Sequence, residues 1–405
     1  MGRYWRLIAV VVVVVLTIGM FYIQSAVAAN ELPNITVEKV SGNEKELEPV
    51  TISGSYSVGN SSGKKFIHGV SESFIVDAEG TTYSSEQSFF ERIENNFYPQ
   101  RINQLQEEYR GFMRGKSGRI PSFLETEKRI AYANIINQTV PGKGNIEFDI
   151  AVLNKENEET TSFTVPVPNR AMYHQVYVED VQITDNKELQ VITRNSPRNG
   201  MEELHLYRFD IENEDIIGED TVVKPENQNE NMNARISSAE SNSDLTASFD
   251  DVIFKKTIEP IVKRSKQGRV TESAAGEQEY SIYNLETGEK RPLELPKELS
   301  DQEILDRDNR SLYFNTGQQI VQYDLESEQV TNQIELPSYE EEGKFEAMTH
   351  IADSKVYMLT RDQQSPQRLI VLGLETGDIL FEGEIKLGEA VEKGETINLY
   401  DLAVQ

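Results

Sequence analysis

The sequence predicts an all-β protein: a β-propeller of six or seven four-stranded blades, with a small helical insertion and an N-terminal membrane helix. Two observations carry the propeller. A hairpin motif recurs as "YNLETGEKRPLELP" from Tyr283, "YDLESEQVTNQIELP" from Tyr323 and "LGLETGDILFEGEIKL" from Leu372. Aligned on the residue before Leu-Glu, Asn284, Asp324 and Gly373 superpose at spacings of 40 and 49 residues, close to the period of one propeller blade. A third observation, an uncharged run from Leu7 to Ile23, carries the membrane segment.

Each motif has an alternating apolar run, a turn rich in Glu, Ser, Thr and Gly, and a second alternating run, which is the pattern of a β-hairpin. Fainter copies stand upstream: "HLYRFDIENEDIIGEDTVV" from His205, "DIAVLNKENEETTSFTVPV" from Asp149 and "ESFIVDAEGTTY" from Glu72. A second hairpin precedes three of the six, in "QITDNKELQVIT" from Gln182, "LDRDNRSLYFN" from Leu305 and "IADSKVYMLT" from Ile351. There Asp185, Asp308 and Asp353 head turns in which an aspartate can bond the backbone two residues on. Two hairpins in series per repeat give the four strands of a blade.

The units "DNRSLYFNTGQQIVQYDLESEQVTNQIEL" and "DSKVYMLTRDQQSPQRLIVLGLETGDILFEGEI" resemble blades of the broad PQQ-like and YVTN-like β-propeller families. The resemblance is clear over residues 300–387, fair over 176–223 and faint before 165. Its motifs are turn motifs, so it implies a fold and carries over no catalytic residue. Quinoprotein blades often place a tryptophan in the outer strand, whereas the one Trp here is Trp5, in the apolar segment. The resemblance therefore implies no quinone, and no cofactor is expected.

Irregular spacing upstream points to insertions within a single propeller domain over residues 30–405. The first runs over about 84–129. Ser84 with Gln87 makes a capping box, Phe89, Phe90, Ile93 and Phe97 follow at helical spacing, and Pro99 interrupts. Ile102, Leu105, Tyr109, Phe112 and Met113 then resume the stripe until "RGKSGRIP" ends it. The second covers about 250–279 and holds Lys255, Lys256, Lys263, Arg264, Lys266 and Arg269 against Glu259 alone within "FKKTIEPIVKRSKQGR". These six residues are the candidate site for an anionic partner; the plainer reading is a solvated loop. "KPENQNENMN", residues 224–233, reads as a connection.

Residues 1–29 form a signal peptide or an N-terminal transmembrane anchor. Arg3 and Arg6 precede the apolar run, which places the acidic body outside the cytoplasm. Ala26 and Ala28 offer an A-x-A site with cleavage before Ala29, so release into the medium and retention in the membrane through Leu7 to Ile23 both stay open. The chain has no cysteine, which excludes a lipidated cysteine anchor, disulfides and thiolate chemistry. An exported chain held together without disulfides suits a bacterial cell surface.

With 68 acidic and 40 basic residues the net charge is −28, so nucleic acid is not an expected partner. The four histidines, His68, His174, His205 and His350, are too far apart in sequence for a helical zinc pair, and no metal site is expected. His205 lies in a strand-like run and reads as structural. "DRDNRSL" from Asp306 starts like a calcium loop, but Arg310 stands at the third ligand position. Asp250 and Asp251 are neighbours on a strand and point to opposite faces. No serine-hydrolase elbow, P-loop or dinucleotide fingerprint is present, and no catalytic residue is assigned.

The expected function is an extracytoplasmic binding or scaffold protein of the bacterial cell envelope, tethered or secreted, whose partner is an envelope protein or an anionic polymer. Two alternatives stand beside it. One is a propeller enzyme (hydrolase, lyase or oxidoreductase) with a carboxylate-lined central site, and the other is the sensory domain of a membrane-linked regulatory system.

Overall fold

A computed structural model describes residues 32–58, 71–86, 100–137, 146–184, 188–198, 201–225, 232–239, 248–260, 277–302, 304–337, 347–360, 367–388 and 395–404. The strands, in chain order, are β1 (Ile35–Gly42), β2 (Val50–Val58), β3 (Ser71–Asp77), β4 (Gly80–Tyr83), β5 (Phe123–Glu125), β6 (Arg129–Ile136), β7 (Glu147–Asn154) and β8 (Thr160–Pro166). They continue as β9 (Tyr173–Ile183), β10 (Glu188–Pro197), β11 (Glu203–Asp210), β12 (Asp215–Val223), β13 (Met232–Ser238), β14 (Asp251–Pro260), β15 (Glu277–Asn284) and β16 (Lys290–Leu293). The last nine are β17 (Ile304–Arg307), β18 (Ser311–Asn315), β19 (Gln319–Asp324), β20 (Gln329–Glu335), β21 (Ala347–Ala352), β22 (Lys355–Thr360), β23 (Arg368–Gly373), β24 (Ile379–Leu387) and β25 (Glu395–Val404).

These form six antiparallel sheets, which settles the expectation of six or seven at six among the described residues. Four are simple runs of consecutive strands: β5–β8, β9–β12, β13–β16 and β17–β20. The other two mix the ends of the chain. β25 pairs with β2 ahead of β3 and β4, and β1 adds a fifth strand to β21–β24 by pairing with β24. One sheet is therefore five-stranded where four strands were expected. Strand pairing between residues near 50 and near 400 closes the chain without a disulfide.

Two compact units emerge from the contacts. The first comprises residues 1–96, 317–320 and 334–405, and the second residues 97–316 and 321–333. In the first, Ile35, Ile52, Phe74, Tyr357, Leu369, Phe381 and Leu402 share one core, so β25 contributes apolar side chains as well as backbone bonds. Gly54 is required here, because a Cβ on it would stand 2.4 Å from the Phe74 ring.

The second unit shows why its middle strands are nearly continuous in apolar residues. Val191 of β10 packs in a cluster with Phe148 of β7, while its neighbour Ile192 packs with Ile236, Val252 and Phe254 on the other face. Ile253, between Val252 and Phe254, points instead into the cluster of Ile282, Leu312 and Phe314. Each middle strand is thus covered on both faces. Outer strands such as β8 and β20 alternate exposed and covered positions and keep polar residues.

The six aligned hairpin residues take one role. Asp77 Oδ1 accepts from the N–H groups of Glu79 and Gly80, and Asp210 Oδ1 accepts from those of Glu212 and Asn213. Asn284 Oδ1 accepts from Glu286 and Thr287, Asp324 Oδ1 from Ser327, and Asn154 Oδ1 from Glu156. At the sixth turn Gly373 stands in this place, and its carbonyl accepts from Gly377 N. In five of the turns the residue four positions later has positive φ: Glu158 (57°), Glu214 (56°), Gly288 (71°), Glu328 (54°) and Gly377 (73°).

Of the second-hairpin turns, Asp308 behaves as expected, accepting from the N–H groups of Arg310 and Ser311. Its other oxygen accepts from the Tyr313 hydroxyl, so a turn rather than a cation occupies it. Asp353 differs. It and Ser354 take φ of 49° and 58°, a two-residue turn of the primed type that matches strand twist. Asp185 lies outside the described residues.

Helix α1 (Gln100–Glu108) and helix α2 (Arg110–Met113) bury Ile102, Leu105, Phe112 and Met113 against Phe123, Ile130, Tyr132 and Leu153. The earlier part of the expected helix, residues 87–99, lies outside the described residues, but its start differs from the capping box. Ser84 lies in a turn and donates its hydroxyl to Glu72, while Glu86 accepts from Tyr83 N–H. A one-turn helix α3 (Lys297–Ser300) precedes β17. The segment Leu7–Ile23 lies outside the described residues, and no helix among those described is long and apolar enough to cross a membrane.

Candidate functional site: polar clusters at the connector ends of the sheets

In an antiparallel four-stranded sheet the first-to-second and third-to-fourth turns share one end, and the second-to-third connection lies at the other. Here the first end carries the Asx turns. The second end of the β5–β8, β9–β12 and β13–β16 sheets carries the connections 137–146, 198–202 and 261–276, and the helical segment enters β5 there. Two polar clusters sit toward this end.

In the β9–β12 sheet, Glu203, His205 and Tyr207 alternate along β11 and so face one side. Register sets His205 opposite Thr193 and Tyr207 opposite Glu219. His205 is buried, with Nε2 3.0 Å from Glu203 Oε2 and Nδ1 3.3 Å from Glu219 Oε1, the latter without a well-aligned hydrogen bond. The Tyr207 hydroxyl donates to Glu219 (3.3 Å), Asn195 Nδ2 donates to Tyr207 (3.1 Å), and Thr193 Oγ1 donates to Asn195 Oδ1 (2.8 Å). Lys224 pairs with the other oxygen of Glu203 at 3.0 Å. Tyr207 stacks on His205 at 5.9 Å and Tyr173 meets it edge-on at 5.8 Å. Burial pushes both tyrosine hydroxyls up, keeping them as donors. His205 is therefore enclosed in a network, as its strand position suggested.

The β5–β8 sheet holds the other cluster, beneath the helices. Glu125 is buried, and Arg101 donates to both its oxygens (2.7 and 2.5 Å) while Lys155 donates at 2.6 Å. Burial opposes ionisation of Glu125, but these hydrogen bonds outweigh it and hold the carboxyl below its ordinary range. After α2 the chain turns at Gly115 (φ 79°), and Lys116 lays its ammonium over the rings of Phe112 (4.2 Å) and Tyr132 (5.1 Å). Ser117 N–H donates to the Tyr132 hydroxyl at 3.0 Å, which fixes the ring. Burial lowers the Lys116 pKa, and the charge of Asp149 only partly offsets it. Asp149 is pushed up by burial, with Lys116 opposing. Phe148, next to Asp149, meets Tyr207 at 4.9 Å, so the two clusters flank one shared core.

The six sequence-predicted cations divide. Lys255 and Lys256 lie within β14, so the proposed insertion does not begin at 250; both faces of Val252 to Phe254 are needed as sheet core. Lys255 stands over the Tyr280 ring (5.8 Å), and Lys256 pairs with Glu279 (2.9 Å). Lys263, Arg264, Lys266 and Arg269 lie outside the described residues, on the segment joining β14 to β15. His174 is exposed on β9, His350 is partly exposed on β21, and His68 lies outside the described residues. Asp251 accepts from Asn284 Nδ2, and Asp250 accepts through its backbone from Leu285. No group of three His, Asp or Glu side chains suited to a metal ion occurs among the described residues. Sequence reading missed Lys116, Asp149, Glu219 and Asn195; the only local signal was a lysine between two glycines in "GKSG".

A family model described as the β-propeller domain of YycP matches residues 266–405, from the β14–β15 connection to the closing strand β25. The chain is a β-propeller. No curated protein matches it. Among solved structures, the β-propeller domain of the Trilobed protease from Pyrococcus furiosus is 12% identical, with 86% of this chain and 84% of that chain covered and a TM-score of 0.32. The acylaminoacyl peptidase of Pyrococcus horikoshii is 12% identical over 88% of this chain and 47% of its own, with a TM-score of 0.32. Hydrazine synthase of Kuenenia stuttgartiensis is 11% identical over 63% and 58%, with a TM-score of 0.28.

Proposed function

We propose that this propeller is a binding or scaffold protein of the bacterial cell envelope, exported by residues 1–29 and either released or held in the membrane through Leu7 to Ile23. The observation that carries the reading is the asymmetry of the sheets in the second unit. One end is fixed by short Asx turns, while the other presents long connectors on strands packed on both faces. Rigid strands bearing variable connectors are the usual platform for recognition. The 261–276 connector brings Lys263, Arg264, Lys266 and Arg269 to a chain of net charge −28, and Lys255 and Lys256 lie on the strand that leads into it. Such a basic segment draws an envelope protein with an acidic face or an anionic polymer locally, while the remaining surface repels similar partners.

The test replaces all six cations by Gln and compares sedimentation with purified cell walls and with anionic vesicles. Wild type should bind, the variant should not, and binding should fade as salt shortens the screening length to about 8 Å at 0.15 M. Equal binding by two folded proteins at every ionic strength removes this surface from the proposal. Orientation is checked separately: protease added to wall-stripped cells should digest the body of the protein or find it in the medium, and full protection refutes export.

A further inference from the structure

The geometry points to Lys116 as a reactive amine that forms an imine with small aldehydes or ketones, a use of the helix-covered site independent of the basic connector. Three features set this lysine apart. Its Nζ lies over two aromatic faces, 4.2 Å from the Phe112 centroid and 5.1 Å from that of Tyr132, and no hydrogen bond or ion pair to it occurs among the described residues. The side chain is only partly covered, so a small molecule can reach it. The segment that carries it also holds buried hydroxyls without a hydrogen-bond partner, Ser117 Oγ and Ser122 Oγ, polar capacity that a carbonyl compound or its carbinolamine oxygen can use.

The surroundings match the demands of the reaction. Attack needs the unprotonated amine, and desolvation favours that form. In the first step the amine nitrogen bonds to the carbonyl carbon, the carbonyl oxygen gains a proton and the nitrogen loses one, giving a carbinolamine. In the second, the hydroxyl accepts a proton and leaves as water while the nitrogen lone pair forms the C=N bond, so one amine and one carbonyl yield one imine and one water. Asp149, the carboxyl whose charge Lys116 feels and whose proton burial retains to higher pH, suits the proton donor of that second step. Lys290 provides the contrast within the same unit. Burial lowers its pKa too, but its Nζ donates to the Val222 carbonyl at 3.1 Å and is not free to attack.

The test is reductive trapping on the folded protein, with acetaldehyde and cyanoborohydride over a pH series and peptide mass mapping of each lysine. Lys116 should be alkylated first, ahead of exposed Lys297 and of Lys290, with its pH profile displaced to lower pH. In Lys116→Arg the earliest-labelled peptide should disappear while the circular dichroism spectrum is retained. Labelling of Lys116 no earlier than Lys297 overturns the proposal, and so does an equal advantage in urea, which would trace the reactivity to local sequence rather than to the fold.

Discussion

The turns between third and fourth strands contain an experiment already half performed by the sequence. Five of them place a residue at positive φ four positions after the turn head, filled by Gly288 and Gly377 in two and by Glu158, Glu214 and Glu328 in three. A side chain in this region costs about 1–2 kcal/mol, and glycine returns about 0.5–1 kcal/mol of that through the entropy it loses on folding. Glu158→Gly and Glu214→Gly should therefore each stabilise by about 0.5–1 kcal/mol. Glu328→Gly should be close to neutral, because Glu328 pairs with Arg291 at 2.8 Å and an exposed pair of this kind contributes about 0–1 kcal/mol. Gly288→Ala should cost about 0.5–1 kcal/mol, since its Cβ would meet only the Tyr283 hydroxyl at an ordinary 3.4 Å. Gly377→Ala should cost about 2–4 kcal/mol, because the same Cβ would stand 2.9 Å from Ile334 and add an overpacking cost of about 1–3 kcal/mol. Urea midpoints at constant slope read these differences. A lowered midpoint for Glu158→Gly and Glu214→Gly, or equal losses for the two alanine variants, refutes the reasoning.

Glu125→Gln should destabilise by about 3 kcal/mol at neutral pH, because Arg101 and Lys155 lose their buried counter-charge. The folded carboxyl titrates below its ordinary value of 4.5, so its contribution is complete above that pH and is lost as pH falls through the depressed folded value. Denaturation curves of wild type and variant should accordingly converge in acid, and a gap that persists or widens there argues against an ionised Glu125. Removal of residues 395–405 should expose the β2 edge and uncover the core around Ile52, giving a protein that binds a hydrophobic dye and aggregates; a soluble truncation with an unchanged melting midpoint would show that β25 does not close the fold.

What the sequence revealed follows the range of the forces involved. Asp77, Asn154, Asp210, Asn284 and Asp324 could be aligned by eye because an Asx turn is made within four residues and leaves its chemistry in the local string. The closing strands left no such trace. Ser57 and Thr396 share a hydrogen bond of 2.8 Å across 339 residues, and nothing near either end of the chain announces the other. The helical stripe over Ile102 to Met113 was legible as periodicity, whereas its consequence, Lys116 beside Tyr132 and under the influence of Asp149, required the register of β6 with β7 and the docking of α2. The basic run was misplaced for a related reason. "VIFKK" does not alternate, because Val252 and Phe254 pack on one side and Ile253 on the other, and a strand buried on both faces resembles an interruption of the repeat.

That double burial also limits where chemistry can reside. Along β10, β11, β14 and β15 a side chain on either face enters a cluster shared with another sheet, as Val191 and Ile192, Leu206 and Tyr207, and Ile282 and Tyr283 each do in adjacent pairs. A charged substitution there would leave a buried charge unpaired, so the strand interiors are committed to packing. Asx turns commit the opposite end, since each turn head is consumed by the N–H groups it accepts from. What remains free is the connector end. There Lys116, Lys224, Lys255 and Lys256 stand at or near the ends of strands that cannot move, and a ligand would meet groups whose positions were fixed before it arrived.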